Sequence, residues 1–280
     1  MSDSVKNMNR QERDGVVFLT FPSLEKYSFV NHAFSTRVGG VSEGIYASMN
    51  LNFGRGDSDE NVVRNFQRFC SAAGFDYSTL AASAQDHHTV VRRVGPEHCG
   101  TGIWKPKDRN SVDGLVTNEK NVTLTTFYAD CVPLFFLDPE RCAIGLAHAG
   151  WRGTVAKMGA EMVKAMSREF GSSPKELLAA VGPSIGPCCF EVDAPVYREF
   201  AALTEIRPYE FIVEKGGGKY TVDLWEANRR ILMEAGVPAQ NIEVAQLCTK
   251  CNAQWLWSHR ASGGKRGGLA AMMCLKEEKA

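Results

Sequence analysis

Three residues that are far apart in the chain, His87, Cys131 and His148, carry side chains that bind transition metals. Each lies where an apolar, strand-like run gives way to a polar or glycine-containing turn, as in His148-Ala-Gly-Trp-Arg-Gly153. Thiolate and imidazole ligands suit Zn²⁺, and a catalytic zinc ion usually has three protein ligands and an open fourth position. The spacing is too wide for a zinc finger, so the residues predict an open zinc site that a folded scaffold assembles.

Each residue alone also has an ordinary structural interpretation. His87 by itself is more typical of a hydrogen-bonded imidazole, and Cys131, in Ala129-Asp-Cys-Val-Pro133, is compatible with a buried, inert thiol. His88 is a competing ligand, but neighbouring side chains on an extended segment point in opposite directions, so one of the two imidazoles is expected to face the ion. Asp130 is a candidate to orient a ligand or to move a proton, and alternatively to cap a turn.

Basic residues near glycines are candidates to bind an anion. Arg37 lies in the loop Thr36-Arg-Val-Gly-Gly-Val-Ser-Glu-Gly44, and Arg260 precedes Gly263-Gly-Lys-Arg-Gly-Gly268. Arg152 stands near the predicted start of a helix, where free N–H groups attract phosphate. Lone arginines are usually solvated, and the glycines beside Arg152 also fit a simple tight turn. A metal ligand next to an anion-binding loop predicts a substrate that carries phosphate or reacts with it.

Two further cysteine pairs occur in the second half of the chain. Cys248-Thr-Lys-Cys251 has the spacing of zinc ligands or of a redox motif, but no second pair with that spacing accompanies it. We interpret this pair as partly buried thiols. Cys188 and Cys189 are adjacent, so they are not expected to ligate the same ion.

The composition excludes several classes of function. The 280 residues are 44% hydrophobic, which allows a substantial core. Lys plus Arg equals Asp plus Glu at 32 each, so no net field favours nucleic acid or an anionic membrane as a partner. The longest apolar run, 132–137, is too short to cross a bilayer, and the start of the chain lacks a secretory signal. We therefore expect a soluble, cytoplasmic protein with mainly reduced cysteines.

Apolar periodicity predicts strands that alternate with helices. Strands are predicted at 16–21, 31–35, 89–94, 122–128, 132–137 and 143–147. Helices are predicted at 59–73, 154–170 and 224–235, the last with Asp223 in capping-box spacing to Glu226. Several strand pairs have connections too short for parallel crossovers, so we expect an α/β fold of the α+β type with mixed β-sheets packed with helices. A flexible segment, 1–14, is expected before a single catalytic domain, 15–280.

Four motifs occur in order along the chain. They are Phe34-Ser-Thr-Arg-Val-Gly-Gly-Val-Ser42, Ala129-Asp-Cys131, His148-Ala-Gly-Trp-Arg-Gly153 and Gly182-Pro-Ser-Ile-Gly-Pro-Cys-Cys189. Together they resemble the YfiH-like family, long described as polyphenol oxidases or laccases and now as purine nucleoside phosphorylases. By motif, the zinc ligands of the family fall on His87, Cys131 and His148. The chain differs from many relatives at His88, where they have Gly, and at Gly267-Gly268, where they often have Gly-Arg. Arg266 is a candidate to compensate for that arginine.

The resemblance implies a single YfiH-like domain and activity on adenosine, inosine, guanosine and methylthioadenosine, with adenosine deamination besides. Phosphate, held by Arg37, Arg152 or Arg260, is expected to attack the anomeric carbon of the ribose while the purine leaves. The residues His87, Cys131, His148 and Asp130 are the expected catalytic group, and zinc is expected to polarise an oxygen or activate water. The zinc-deaminase signature His-x-Glu with Pro-Cys-x-x-Cys is absent, so deamination would use another arrangement. A monomer or small homo-oligomer is expected.

Three alternatives compete with this interpretation. A copper-dependent, laccase-like oxidase needs more imidazoles than the six histidines present, although a site with two histidines and one cysteine also binds copper. A cysteine hydrolase, with Cys131 as nucleophile and His148 as base, would act in peptidoglycan precursor editing, which has been linked to the family. A binding module would leave nucleoside and phosphate unchanged.

Overall fold

Strands alternate with helices in the part of the chain that the computed structural model describes, residues 5, 7–107 and 111–276. The strands are β1 (Asn9–Arg13), β2 (Val16–Thr20), β3 (Val30–Ser35), β4 (Leu80–Ala81), β5 (Val91–Arg93), β6 (Gly114–Thr117), β7 (Thr123–Tyr128), β8 (Val132–Asp138), β9 (Ala143–Ala149), β10 (Leu178–Val181), β11 (Glu191–Asp193), β12 (Ile212–Gly216), β13 (Lys219–Val222), β14 (Ile242–Val244) and β15 (Leu269–Leu275). The α-helices are α1 (Pro22–Glu25), α2 (Asp59–Ala73), α3 (Trp151–Val155), α4 (Met158–Phe170), α5 (Ala194–Ala201), α6 (Leu224–Glu234) and α7 (His259–Ser262).

The strands form two six-stranded sheets and one three-stranded sheet. The first large sheet has the order β1-β2-β3-β15-β7-β4, and the second has the order β14-β10-β8-β9-β6-β5. Both large sheets combine antiparallel pairs with parallel ones, such as β4 with β7 and β10 with β14. The prediction of mixed sheets packed with helices is therefore confirmed, and each strand predicted from the sequence overlaps a strand of the structure.

Alternating side chains place apolar layers on both faces of the two large sheets. In β15, Leu269, Ala271 and Met273 belong to a cluster shared by the two sheets, whereas Ala270 and Met272 pack with α2 on the outer face. Strand β8 alternates in the same way, between that shared layer and the layer beneath α4 and α6. The two sheets thus face each other, and helices cover their outer faces.

The predicted helices are present, with one correction. Helix α2 has the predicted bounds and ends at Gly74, which adopts the left-handed conformation at φ 75°. The Asp223 side chain caps α6 by accepting the N–H groups of Trp225 and Glu226. The helix predicted at 154–170 is instead two helices, α3 and α4, because Lys157 between them has a left-handed φ of 59°.

Part of the segment 1–14 contributes a strand to the first large sheet. Residues 9–13 form β1, which pairs antiparallel with β2 through a turn at Asp14 and Gly15, both with positive φ. Asp-Gly is a typical sequence of such hairpin turns. The division into a flexible segment 1–14 and a single domain 15–280 remains a prediction, and residues 1–4 and 6 lie outside the described residues. Among the described residues, no helix combines the length and apolar character needed to traverse a bilayer.

Candidate metal centre

The three predicted metal ligands meet at one end of the second large sheet. Cys131 immediately precedes β8, and His148 lies next to the end of the antiparallel neighbour β9. His148 continues the row of β9 side chains that face the first sheet, after Ile144 and Leu146. His87 comes from the loop before β5. The sheet therefore supplies two of the ligands from adjacent strands, and a loop supplies the third.

The donor atoms of these side chains lie close enough to share one ion. One ligand atom from each of the three residues lies within 4.8 Å of the other two. Nε2 of His87 is 3.8 Å from Sγ of Cys131, and the ring centres of His87 and His148 are 4.9 Å apart with the planes at 76°. Bonds of about 2.0–2.3 Å to a tetrahedral zinc ion put ligand atoms roughly 3.3–3.8 Å apart. Two imidazoles and one thiolate in this arrangement fit zinc.

Asp113, which no sequence motif indicated, positions both histidines. Its fully buried carboxylate accepts a hydrogen bond from Nδ1 of His148 at 2.8 Å. The backbone N–H groups of His87 and His88 donate to the same carboxylate at 3.1 and 3.0 Å. A carboxylate that holds Nδ1 leaves Nε2 of the imidazole free for a metal ion, as is usual for zinc-binding histidines. Asp113 thus fixes the tautomer of one ligand and the backbone of another.

The side chains of Cys131 and His148 shift each other's pKa in opposite directions. Burial would raise the pKa of the Cys131 thiol, but the positive charge and hydrogen bond of His148, together with His87, lower it to about 6. Burial would lower the pKa of His148, but the Cys131 thiolate and the Asp113 carboxylate raise it to about 9. In the metal-free protein the two groups are therefore a thiolate and an imidazolium at neutral pH.

The glycine at position 150 is required by the close approach of the ligands. Gly150 is the N-terminal cap of α3. A Cβ atom at this position would lie 2.7 Å from Cδ2 of His87 and 3.0 Å from Sγ of Cys131. Contacts this short force neighbouring atoms to move, so any side chain here would displace two of the three ligands.

The adjacent histidines point to different sides, as expected, but for a different physical reason. His88 is exposed, and its Nδ1 lies 3.1 Å from a carboxylate oxygen of Asp86. His87 is in a loop and has a left-handed φ of 74°, so the two side chains do not follow strand alternation. Positive φ is uncommon outside glycine and is often found at functional sites. The bonds from this loop to Asp113 hold the conformation in place.

A cavity of about 160 Å³ adjoins the three ligands and carries positive charge. Its described lining includes the cations Arg55, Lys107 and Arg266 and the aromatic residues Phe127 and Tyr128. The sequence indicated Arg266 only as a substitute for a family arginine, and it did not indicate Arg55 or Lys107. None of these three cations lies in a motif next to a candidate metal ligand. The three-dimensional fold brings these cations to the site.

Arg266 is the buried cation of this cavity. The residue is only 7% exposed, and its Nη1 donates to the carbonyl oxygen of Gly267 at 2.8 Å. Its buried Nε has no hydrogen-bond partner among the described residues. Burial and the nearby charge of Arg55 lower the pKa of Arg266 to about 10. A buried guanidinium with an unsatisfied N–H group is suited to binding an anion.

The arginines that the sequence indicated as anion ligands are not among the described lining residues of this cavity. Arg37 donates to the carbonyl oxygens of Ala47 and Ala253 and stacks on Trp257, with 3.9 Å to the ring centre. Arg152 is exposed and lies over the neighbouring Trp151 ring.

Arg260 is exposed and donates to the carbonyl oxygens of Cys189 and Glu191. The helix beside Arg152 is also only the short α3, so it provides a smaller dipole than the predicted long helix. The phosphate contacts expected at Arg37, Arg152 and Arg260 remain predictions.

Asp130, the expected fourth catalytic residue, has its carboxylate engaged in structural hydrogen bonds. Oδ1 accepts from Oγ1 of Thr249 at 2.6 Å, and Oδ2 accepts from the backbone N–H of Arg260 at 2.7 Å. Asp130 has a left-handed φ of 82° and is not among the described residues that line the cavity. It orients the chain before Cys131 and joins it to two later loops.

Two large mixed sheets packed with helices, and a candidate metal centre of two histidines and one cysteine, define the class of this protein. A family model described as multi-copper polyphenol oxidoreductase laccase matches residues 31–276. The chain belongs to this family, which is the YfiH-like family that its motifs resemble.

Curated relatives match over most of the chain. Purine nucleoside phosphorylase YlmD of Bacillus subtilis is 37% identical over 245 residues, which cover 87% of this chain and 88% of the relative. A purine nucleoside phosphorylase of Bacteroides thetaiotaomicron is 36% identical over 252 residues, with 90% of this chain and 93% of the relative covered.

Solved structures share the fold. Hypothetical protein YfiH of Bacillus licheniformis superposes with a TM-score of 0.89 at 31% identity, over 95% of this chain and 99% of the other. YlmD of Geobacillus stearothermophilus gives a TM-score of 0.86 at 34% identity, over 95% of this chain and 98% of the other. The architecture described above is therefore that of the family.

Proposed function

We propose that the protein is a zinc-dependent purine nucleoside phosphorylase that acts on adenosine, inosine, guanosine or methylthioadenosine. The observation that carries this proposal is the convergence of His87, Cys131 and His148 beside a cavity that contains the buried cation Arg266. The names of the curated relatives, which are purine nucleoside phosphorylases, support the same reaction.

The donor set favours zinc over a multicopper centre. Laccase chemistry needs a blue-copper site and a separate group of copper ions held mainly by imidazoles. Among the described residues, two sets of side chains could hold an ion. One set is His87, Cys131 and His148, and the other is a set of four cysteines. Neither provides a cluster of imidazoles for several copper ions, so we assign the centre to a single zinc ion.

Phosphorolysis joins a phosphate oxygen to C1′ of the ribose and breaks the bond from C1′ to the purine nitrogen. The electron pair leaves with the purine, which takes up a proton, and the products are free base and ribose 1-phosphate. In our proposal, Arg266, Arg55 and Lys107 hold the phosphate and offset its charge as it approaches C1′. A bound zinc ion would supply Lewis-acid polarisation of a substrate oxygen.

The cavity accommodates only part of a nucleoside. Its volume of about 160 Å³ is below the roughly 300–1,000 Å³ of typical small-molecule sites. We therefore place the phosphate and the reacting part of the ribose near the buried Arg266, with the purine towards the half-buried Phe127. An aromatic face at that position provides apolar contact for a base.

Product analysis tests the proposed reaction. Purified protein is incubated with adenosine or inosine, with and without phosphate, before and after removal of metal by a chelator. We expect free base and ribose 1-phosphate only when both phosphate and metal are present. Cys131→Ala should abolish the product, whereas Cys142→Ser, at an exposed cysteine, should leave it unchanged.

Other products would redirect the assignment. Free base with ribose, independent of phosphate, would contradict phosphorolysis. Conversion of adenosine to inosine would establish the deaminase activity that the family resemblance implies. Oxidation of a catechol without nucleoside cleavage would favour a copper oxidase.

A cysteine hydrolase is the second candidate, because the metal-free site pairs a thiolate with an imidazolium. Lowered thiol pKa values are typical of nucleophilic cysteines, and Cys131 has a pKa of about 6. Metal removal separates the two functions. A hydrolase with a Cys131 nucleophile, tested on peptidoglycan precursor peptides, retains its activity after chelation, whereas the proposed phosphorylase loses it.

A further inference from the structure

Four cysteines outside the metal centre form a second cluster. Cys188 and Cys189 lie in the loop between β10 and β11, and Cys248 and Cys251 follow β14. All four sulfur atoms lie within 4.8 Å of one another. Sγ of Cys251 is 3.5 Å from Sγ of both Cys188 and Cys189. We refer to these residues as the four-cysteine cluster.

The backbone explains how two adjacent cysteines reach one cluster. Residues 187–189 form a turn, in which the N–H of Cys189 donates to the carbonyl oxygen of Gly186 at 2.9 Å. In such a turn, neighbouring side chains do not alternate as they do on a strand. Cys188 and Cys189 were not expected to ligate one ion because they are adjacent, but in this turn both sulfur atoms lie within reach of a single ion.

The two chain segments are aligned by main-chain bonds. Ser184 forms a parallel bridge with Cys248, and the N–H of Thr249 donates to the carbonyl oxygen of Ser184 at 3.0 Å. The N–H of Gly186 donates to Sγ of Cys248 at 3.2 Å, and the N–H of Cys251 donates to the same sulfur. Backbone donors directed at a sulfur atom stabilise it as a thiolate, which is the form that binds metal.

We propose that the four-cysteine cluster binds a structural zinc ion, separate from the ion at His87, Cys131 and His148. Four thiolates in closed tetrahedral coordination are typical of structural zinc, and a Cys-x-x-Cys pair supplies two of them. Zinc–sulfur bonds of about 2.3 Å put the sulfurs roughly 3.8 Å apart, near the 3.5 Å found for two of the pairs. These sulfurs are too distant for a disulfide, whose bond is about 2.05 Å.

The ion would fix loops that support the other metal centre. Thr249, inside the Cys-x-x-Cys turn, donates to the Asp130 carboxylate, and the N–H of Ile185 donates to the Asp130 carbonyl oxygen at 3.0 Å. Asp130 directly precedes Cys131. The cluster therefore connects through two hydrogen bonds to the backbone that carries a ligand of the first centre.

Metal binding to Cys131→Ala tests the proposal without altering the cluster. The full-length variant is purified under reducing conditions, stripped with a chelator and titrated with Co²⁺. Thiolate-to-cobalt charge-transfer bands should appear, because the four-cysteine cluster still supplies thiolates in this variant. The bands should disappear when Zn²⁺ is added and displaces the cobalt. Absence of these bands would overturn the proposal.

Zinc analysis of cluster variants provides the second measurement. Cys251→Ser and Cys188→Ser should each lower the zinc content by one ion per chain relative to the parent, whereas the control Cys142→Ser should not. If a cluster variant fails to fold, the cobalt spectrum of Cys131→Ala still tests whether the cluster binds a metal ion. Unchanged zinc content in both folded cluster variants would overturn the proposal. Mass spectrometry that shows a disulfide within the cluster of reduced, zinc-supplied protein would replace the zinc site with a redox pair.

Discussion

Asp113 holds His148 in the orientation that a metal ligand needs. Its buried carboxylate accepts from Nδ1 of the imidazole at 2.8 Å. We predict that Asp113→Asn weakens zinc binding by about 10–100-fold, because an amide lacks the charge that fixes and polarises the imidazole. Competition with a chromophoric chelator measures the zinc affinity.

Asp138→Asn is the matched control for this substitution. Asp138 is also a buried carboxylate, and it accepts the N–H groups of Glu140 and Arg141 at 3.0 Å, but it lies at the opposite end of β8 from Cys131. The control variant should lose stability and keep its zinc affinity. An equal loss of zinc affinity in both variants would show that Asp113 acts only by stabilising the fold.

Gly150 and Gly153 belong to the same motif but differ in their surroundings. A Cβ at Gly150 would lie 2.7 Å from the His87 ring, whereas the nearest atom to a Cβ at Gly153 is 3.6 Å away. Gly150→Ala should therefore lower zinc affinity by about tenfold or more, since ligands must be held within about 0.5 Å. Gly153→Ala should bind zinc normally. Isothermal titration of both metal-free variants measures this difference, and equal affinities would contradict the close-approach argument.

Zinc affinity should depend on pH through His148. Zinc binds the neutral imidazole and the thiolate. In the metal-free protein, Cys131 has already lost its proton above about pH 6. His148 keeps its proton up to about pH 9. Between these values binding releases about one proton, so the affinity should rise about tenfold per pH unit and level off above pH 9. His87, whose pKa is raised by its hydrogen bond to Cys131, adds proton release towards the acidic end. An affinity independent of pH from 6 to 9, after correction for the competing chelator, would contradict this charge assignment.

At the scale of the elements, the start of α6 depends on one side chain. Asp223 accepts the N–H groups of Trp225 and Glu226, whereas Ser58, at the start of α2, makes no side-chain cap. Asp223→Ala should lower the free energy of unfolding by about 1 kcal/mol, and Ser58→Ala should change it by only a few tenths. Urea unfolding followed by circular dichroism measures both. A similar effect of the two substitutions would show that the Asp223 hydrogen bonds do not stabilise the helix.

The elements that the sequence predicted well are those with strong local patterns. Helix α2 has apolar residues at helical spacing and a glycine at its end, and β8 is a continuous apolar run. The break at Lys157 had no local signal, because neither proline nor glycine marks it. Strand β6 was also missed, and with it Asp113, which directly precedes that strand.

At the scale of the whole molecule, the residues that were missed are brought together by tertiary structure. The candidate metal ligands were visible in the sequence because cysteine and histidine have specific metal chemistry. Arg55 and Lys107 have no such chemical specificity, so only the fold distinguishes them from surface cations. The four-cysteine cluster was not predicted, because its two segments meet only when β10 and β14 pair in parallel.

The two large sheets explain why the centre forms where it does. The layer of apolar side chains between the sheets ends at His148, where β9 leaves the sheet and the cavity begins. The rigid sheet holds two ligands, and the loop of His87 closes the site through Asp113. A centre at the edge of a packed interior is shielded from water on one side and open to the cavity on the other.

Reconstitution of the metal-free protein tests the central claim most directly. Zinc is added in steps to chelator-treated protein with inosine and phosphate, and ribose 1-phosphate is measured by phosphorus NMR. The rate should be absent without metal, rise with zinc until the His87, Cys131 and His148 centre is filled, and stay absent in Cys131→Ala at every zinc concentration. Full formation of ribose 1-phosphate by the metal-free protein, or by Cys131→Ala, would contradict a zinc-dependent phosphorylase at this centre.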